Sequence, residues 1–196
     1  MQNTVKIAIV YHSGFGHTAK QAEAVKRGVV KVAGASALLL TAEEAQSRWD
    51  ELTQSDAIVF GAPTYMGGAS AQFKAFMDAT SRLFFDGAWK DKIATGFTNS
   101  ASRSGDKLQT LIQFAILAAQ HGMHWINLGL PPANNHSRGS EQELNRLGFF
   151  LGAGAQSNAD EGPDLSPPES DLLTAEYLGE RVATVAAQFA RGRALA

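Results

Sequence analysis

The sequence predicts an α/β fold: a three-layer sandwich built on a five-stranded parallel sheet of order 2-1-3-4-5. Three observations predict it. Short apolar runs at residues 7–10, 56–61 and 92–98 alternate with amphipathic stretches, the pattern of doubly covered strands joined by crossover helices. The chain has 196 residues, 44% of them hydrophobic and 18% charged, enough for one sizeable core. The first apolar run ends in a glycine-bearing turn, S-G-F-G-H-T (13–18), that opens directly into a helix.

Taken in order, that first helix carries Ala22, Val25, Val29 and Val32 at helical spacing. Residues 36–40 read as the second strand. Thr41-Ala42-Glu43-Glu44 has capping-box form and opens a helix through about Leu52. Residues 56–61 (DAIVFG) form the third strand, and 71–81 a helix with Phe73, Phe76, Met77 and Thr80 on one face. The fourth strand is 92–98. A helix over 107–120 should turn Leu108, Leu111, Ile112, Ala115 and Ala119 inward. Residues 124–128 are the fifth strand. Ser166-Pro167-Pro168-Glu169 opens the last helix, with Leu178, Val182, Val185, Ala186 and Phe189 inward. The stretch 129–168 is rich in Gly, Asn, Ser and Pro, with one short helical candidate opened by Ser140-x-x-Glu143. It reads as one long excursion over the carboxyl edge of the sheet, inside a single domain spanning 1–196.

Composition excludes several function classes. Lys plus Arg is 17 against Asp plus Glu 19, a net charge of −2, so no nucleic-acid or membrane-surface partner is implied. There are no cysteines, which removes disulfides, thiol catalysis and Cys-ligated metals. The five His residues show no ligand spacing, and no metal is expected. No secretory or membrane-length apolar segment is seen, so a cytoplasmic protein is expected. Neither a G-x-S-x-G elbow nor a Walker A pattern is present.

The turn at 13–18 suits an anion. Unpaired N–H groups and the positive end of a helix dipole hold a phosphate without Lys or Arg, and the turn contains neither. Gly14-x-Gly16-x-x-Ala19 also fits a loose dinucleotide fingerprint. That reading wants an acid at the end of the second strand, where Thr41-Ala42 stand instead. A mononucleotide phosphate held by Ser13 and Thr18 is therefore preferred, and an ordinary ligand-free β-α turn would use the same residues. In a sheet of this order the ligand lies beyond the carboxyl ends of strands 1 and 3. The segments 13–18, 62–68 and 99–105 should converge there. A flat heteroaromatic ring with a phosphate tail would use all three.

S-G-F-G-H-T, then G-A-P-T-Y-M-G-G-A-S-A-Q-F-K-A-F-M-D, then H-G-M and E-Y-L-G-E-R-V-A resemble the flavodoxin-like NAD(P)H:quinone oxidoreductases of the WrbA type. The resemblance runs from about Lys6 to Phe189, most specifically over 61–78. It implies a flavodoxin-like fold, noncovalent FMN, NADH or NADPH as electron donor, a quinone-like acceptor, and a homodimer or homotetramer. By position it implies that Ser13, Gly14, Phe15, Gly16, His17 and Thr18 wrap the FMN phosphate. Pro63, Thr64, Tyr65, Met66 and Gly67 would lie along the isoalloxazine edge. Asn99, Ser100, Ala101, Ser102, Arg103 and Ser104 would face the pyrimidine end and ribityl chain.

The chain departs from that pattern in places. Leu40 passes almost directly into the second helix, where the family has a longer insertion that helps tetramer packing. The fourth-strand loop reads N-S-A-S-R-S-G-D, where glycines are usual. Gln120 stands where the family has a flavin-contacting His, and Phe84 where a Trp lines the substrate pocket. The resemblance implies hydride transfer to flavin N5 with no essential side-chain nucleophile. Arg103, the only cation in the three loops, could tune the flavin by stabilising its anionic reduced form, or could face solvent or pair with Asp106. Three other functions stay open: a one-electron flavodoxin-type carrier; a reductase for free flavin, azo, nitro, metal or arsenical acceptors; and a binding protein of the same fold without cofactor.

Overall fold

The apolar run after Lys6 lies in β1 (Val5–Tyr11), an inner strand of the sheet, in the computed structural model, which describes residues 4–193 and 195. There follow α1 (His17–Val30), β2 (Ala35–Thr41), α2 (Ala42–Ala45), α3 (Trp49–Thr53), β3 (Ala57–Tyr65), β4 (Gly68–Ala69), α4 (Ala71–Ala79) and α5 (Ser81–Phe85). The chain continues through β5 (Ile93–Ser100), α6 (Lys107–Gln120), β6 (His124–Trp125), β7 (Ala153–Gln156) and α7 (Glu169–Arg193). The sheet order is β2-β1-β3-β5-β6, with Ile7 opposite Ala57 and Ala57 opposite Ile93, all parallel. Setting aside the two-residue hairpin strand β4, this is the expected order 2-1-3-4-5.

Alternation along β3 builds the core on both faces. Ile58 and Phe60 join Phe73, Phe76, Trp89 and Phe114 on the α4–α6 side. Ala57 and Val59 join Val25, Val29, Leu178 and Val182 on the α1–α7 side. The two helices of that second layer touch backbone to backbone. A Cβ on Gly28 would stand 1.8 Å from the Glu176 carbonyl oxygen, and one on Gly179 2.0 Å from that of Val25. Only glycine allows this crossing.

The structure corrects several details of the expected elements. The capping box forms as read, with Thr41 Oγ1 accepting the Glu44 N–H and Glu44 accepting the Thr41 N–H. The helix it opens stops at Ala45, where the Ser47 hydroxyl donates to the Glu44 carbonyl, and restarts as α3. The break lets Trp49 stack on Phe76 at 5.6 Å. The helix expected over 71–81 likewise divides, with Thr80 between α4 and α5. β3 runs four residues beyond Gly61 and turns into a hairpin with β4. The inward face of α6 is rotated from the expected one. Leu108 is exposed, while Lys107, Thr110, Phe114 and Leu117 are buried, because Phe114 packs between Phe60 and Phe73. Ser140 and Glu143 make capping-type hydrogen bonds, but the segment stays a turn.

The fifth strand differs most. It is not one strand at 124–128 but two pieces. β6 pairs with the start of β5, and β7 with its end, Phe97 opposite Ala153. The stretch expected as one excursion over 129–168 thus returns to the sheet in its middle.

Candidate functional site

At the carboxyl edge of β1, β3, β5 and β7 the departing loops enclose a cleft of about 480 Å³, within the range of small-molecule sites. The first wall is the turn before α1. Ser13 Oγ accepts the Ala19 N–H at 3.2 Å and so staples the turn to the helix. Gly16 caps α1 with φ 88°, a left-handed conformation suited to glycine. Among the described residues, the N–H groups of Phe15, Gly16, His17 and Thr18 have no hydrogen-bond partner. Orphan donors at a helix N-terminus are an anion site.

The second wall is the end of β3. Thr64 Oγ1 lies 2.8 Å from both Thr98 Oγ1 and Thr110 Oγ1, a buried hydroxyl chain that ties β3, β5 and α6. Pro63 and Thr64 line the cleft, and half-exposed Tyr65 meets Phe15 edge-on at 6.4 Å. Burial pushes the Tyr65 hydroxyl pKa up, so it stays protonated. The third wall is the end of β5. Buried Asn99 accepts the Ser157 hydroxyl at 2.9 Å, and Ser100 and Ala101 complete the lining.

A fourth wall comes from the stretch 129–168, which the sequence places over the carboxyl edge without singling out the residues that reach the cleft. Ser157, Asn158, Ala159, Glu161 and Gly162, which follow β7, lie along the cleft. His17 Nε2 donates to the Glu161 carbonyl at 2.9 Å, and a Cβ on Gly16 would press on Pro163 at 2.8 Å. The loop therefore rests on the turn before α1. Its signal was the polar string Q-S-N-A-D-E-G-P directly after the small-residue run L-G-A-G-A.

The structure gathers Ser13, Phe15, His17, Thr18, Pro63, Thr64, Tyr65, Asn99, Ser100 and Ala101 around the cleft, with Gly16 behind the turn. It does not bring the other expected residues there. Met66 is fully exposed and faces a second, open depression shared with His12, Ser70 and Lys74. Gly67 caps the β3–β4 hairpin at φ 82°. Ser102 turns its carbonyl to Lys107. Arg103 lies outside the cleft, paired with Glu141 at 2.7 Å and not with Asp106. Gln120 ends α6, about 20 Å along the helix from Lys107.

Behind the third wall lies a polar network. Arg146 holds both carboxylate oxygens of Asp171 and also reaches Glu141, which holds Arg103. The Asp171 carboxylate accepts the Gln156 N–H, and Gln156 Nε2 donates to the Ala101 carbonyl. The network ties the excursion, β7 and α7 to the loop after β5. Lys107, fully buried beside it, donates to the carbonyls of Ser102, Arg103 and Ser104, and burial lowers its ammonium to about 8.

The cleft fits a phosphorylated flat ring. It offers free N–H groups and the Thr18 side chain at one end, an aromatic rim, and amide and hydroxyl groups at the other, with no Lys or Arg in its lining. Among the described residues no helix is long and apolar enough to cross a membrane.

Comparison with known proteins agrees with this geometry. Residues 39–135 match the family model described as NADPH-dependent FMN reductase. The chain is 45% identical over 185 residues to Flavodoxin FldP of Pseudomonas aeruginosa, covering 93% of this chain and 97% of that one. It is 32% identical to an NAD(P)H dehydrogenase (quinone) of Geotalea uraniireducens, covering 95% and 100%. The crystal structure of a WrbA-like flavodoxin from Agrobacterium tumefaciens superposes with a TM-score of 0.73 at 40% identity, over 94% of this chain and 98% of that one.

Proposed function

Because the chain belongs to the flavodoxin-like NAD(P)H dehydrogenase (quinone) family of the WrbA type, we propose that it is an FMN-dependent oxidoreductase passing two electrons from NAD(P)H to a quinone or similar flat acceptor. The observation that carries this reading is the cleft, with unpartnered N–H groups at 15–18 and the Phe15–Tyr65 rim. FMN, when bound, supplies the hydride and electron chemistry. The chain supplies binding and order. The N–H groups of Phe15, Gly16, His17 and Thr18 hold the phosphate. The Thr64–Thr98–Thr110 chain fixes the floor, and Asn99 with Ser157 keeps β5 and the fourth wall together. Phe15 and Tyr65, at the rim, would shield the bound ring from water on the side they cover.

Residues 1–196 act as one domain in this reading, in the cytoplasm. A homodimer or homotetramer would cover Phe84 and Phe85, which are exposed on α5. It would also give Gln120 a role that it cannot have toward its own distant cleft. A second reading is a one-electron carrier, favoured by the 45% identity to Flavodoxin FldP. One experiment separates the two. Protein loaded with FMN is mixed with NADH or NADPH without oxygen, then with benzoquinone. The oxidoreductase bleaches in one two-electron step and recovers its colour with the quinone. A carrier resists both nicotinamides and, reduced by dithionite, halts stably after one electron.

A further inference from the structure

Lys107 is a buried cation with no carboxylate in contact. It is the first residue of α6, where the helix dipole disfavours positive charge. The acid whose field reaches it, Asp171, is occupied by Arg146 and the Gln156 N–H, and Arg146 repels it. Burial, dipole and a neighbouring cation all oppose an ammonium here. Three peptide carbonyls, those of Ser102 at 2.5 Å, Arg103 at 3.1 Å and Ser104 at 3.5 Å, compensate it. A buried charge with no carboxylate in direct contact is costly, and beside a cleft it is a candidate to act on whatever the cleft binds.

The carbonyls also orient the loop. In a trans peptide the N–H points opposite to the C=O. Carbonyls 102–104 turned toward the ammonium therefore send the N–H groups of Arg103, Ser104 and Gly105 the other way. Among the described residues none of these three has a hydrogen-bond partner. The loop is layered, with the ammonium on one side and free donors on the other, exposed side. It continues directly from Ser100 and Ala101 in the cleft lining. Arg103, by contrast, spends its charge on Glu141 at the surface.

We propose that Lys107, and not Arg103, is the cation that favours the reduced cofactor, acting through the 101–105 loop as a positioning residue. This rests on the FMN reading above. Uptake of a hydride by oxidised flavin, with release of the oxidised nicotinamide, leaves the flavin with one more negative charge. A fixed cation and outward N–H groups at that end then bind the reduced form more tightly than the oxidised one. Mere support of the loop would strengthen both forms alike.

The test is the midpoint potential of bound FMN, measured by dye equilibration without oxygen, together with the Kd for oxidised FMN. In Lys107→Gln the preference for reduced over oxidised FMN should fall about tenfold, which lowers the potential of a two-electron couple by about 30 mV. Lys107→Arg should restore it, and Arg103→Gln should leave it unchanged. An unshifted potential in Lys107→Gln, even with weaker binding, overturns the proposal, as does a drop confined to Arg103→Gln. If Lys107→Gln does not fold, Lys107→Met, with its apolar stem, is read the same way. Wild-type protein that binds no FMN defeats the cofactor reading itself, a result distinct from bound FMN with an unshifted potential.

Discussion

Arg146 grips Asp171 with two parallel hydrogen bonds, Nε to Oδ1 and Nη2 to Oδ2, both 2.8 Å long and both buried. The pair joins the excursion to the start of α7. Removing one partner leaves the other charge buried and alone. Asp171→Asn or Arg146→Ala should therefore cost about 3–5 kcal/mol in urea unfolding. A joint replacement by apolar residues should cost less than either single change.

Gly16 should be intolerant of a side chain. Its φ of 88° disfavours any other residue, and a Cβ would meet Pro163 at 2.8 Å. Gly16→Ala should lose roughly 1–3 kcal/mol of stability. It should also weaken FMN more than tenfold by lifting the fourth wall off the phosphate turn. Fluorescence titration checks the second effect, and thermal melts the first.

Thr18 offers a test of where the phosphate sits. Its side chain is buried at the head of α1 and lines the cleft. Thr18→Val should cost about 1.5–3 kcal/mol in FMN affinity, as expected for a hydrogen bond to a charged group. Riboflavin, which has no phosphate, should bind the variant as it binds the wild type. Equal losses for both ligands would move the phosphate elsewhere.

Lys107 gives the protein without cofactor a pH signature. Its folded pKa of about 8 lies below the ordinary 10.5, so between those values the unfolded chain holds a proton that the folded chain lacks. Stability then rises with pH across that window, by about 3 kcal/mol in full, and the burial cost is greatest below pH 8. Lys107→Met should be more stable than wild type at pH 7, with the difference shrinking toward pH 10.5. Urea midpoints of the two proteins at matched pH measure it.

The sheet and three of the four walls could be read from residues alone because they are local. A strand, a turn and a helix start announce themselves within a dozen positions, as 5–18 and 56–78 do. The fourth wall could not be read this way, since Ala153–Gln156 is small-residue sequence that becomes a strand only by pairing with β5. The rotation of α6 was hidden for a related reason. Leu108 outranks Lys107 on any hydropathy pattern, yet Phe114 against Phe60 and Phe73 decides which face turns inward. Arg103 looked like the cation of the site because it was the only one in the loops. Its partner, Glu141, lies 38 residues away in a stretch with no periodicity to place it.

The split fifth strand sets an order of events for a chain still leaving the ribosome. β1, β3 and β5 can assemble once residue 100 is free, but β7 and the wall at 157–162 come last of all the cleft's parts. The α7 helix that buries Asp171 and locks Gln156 comes later still. A nascent chain halted before residue 157 would carry the turn at 13–18 open on one side. A product truncated there lacks one of the four walls that line the cleft.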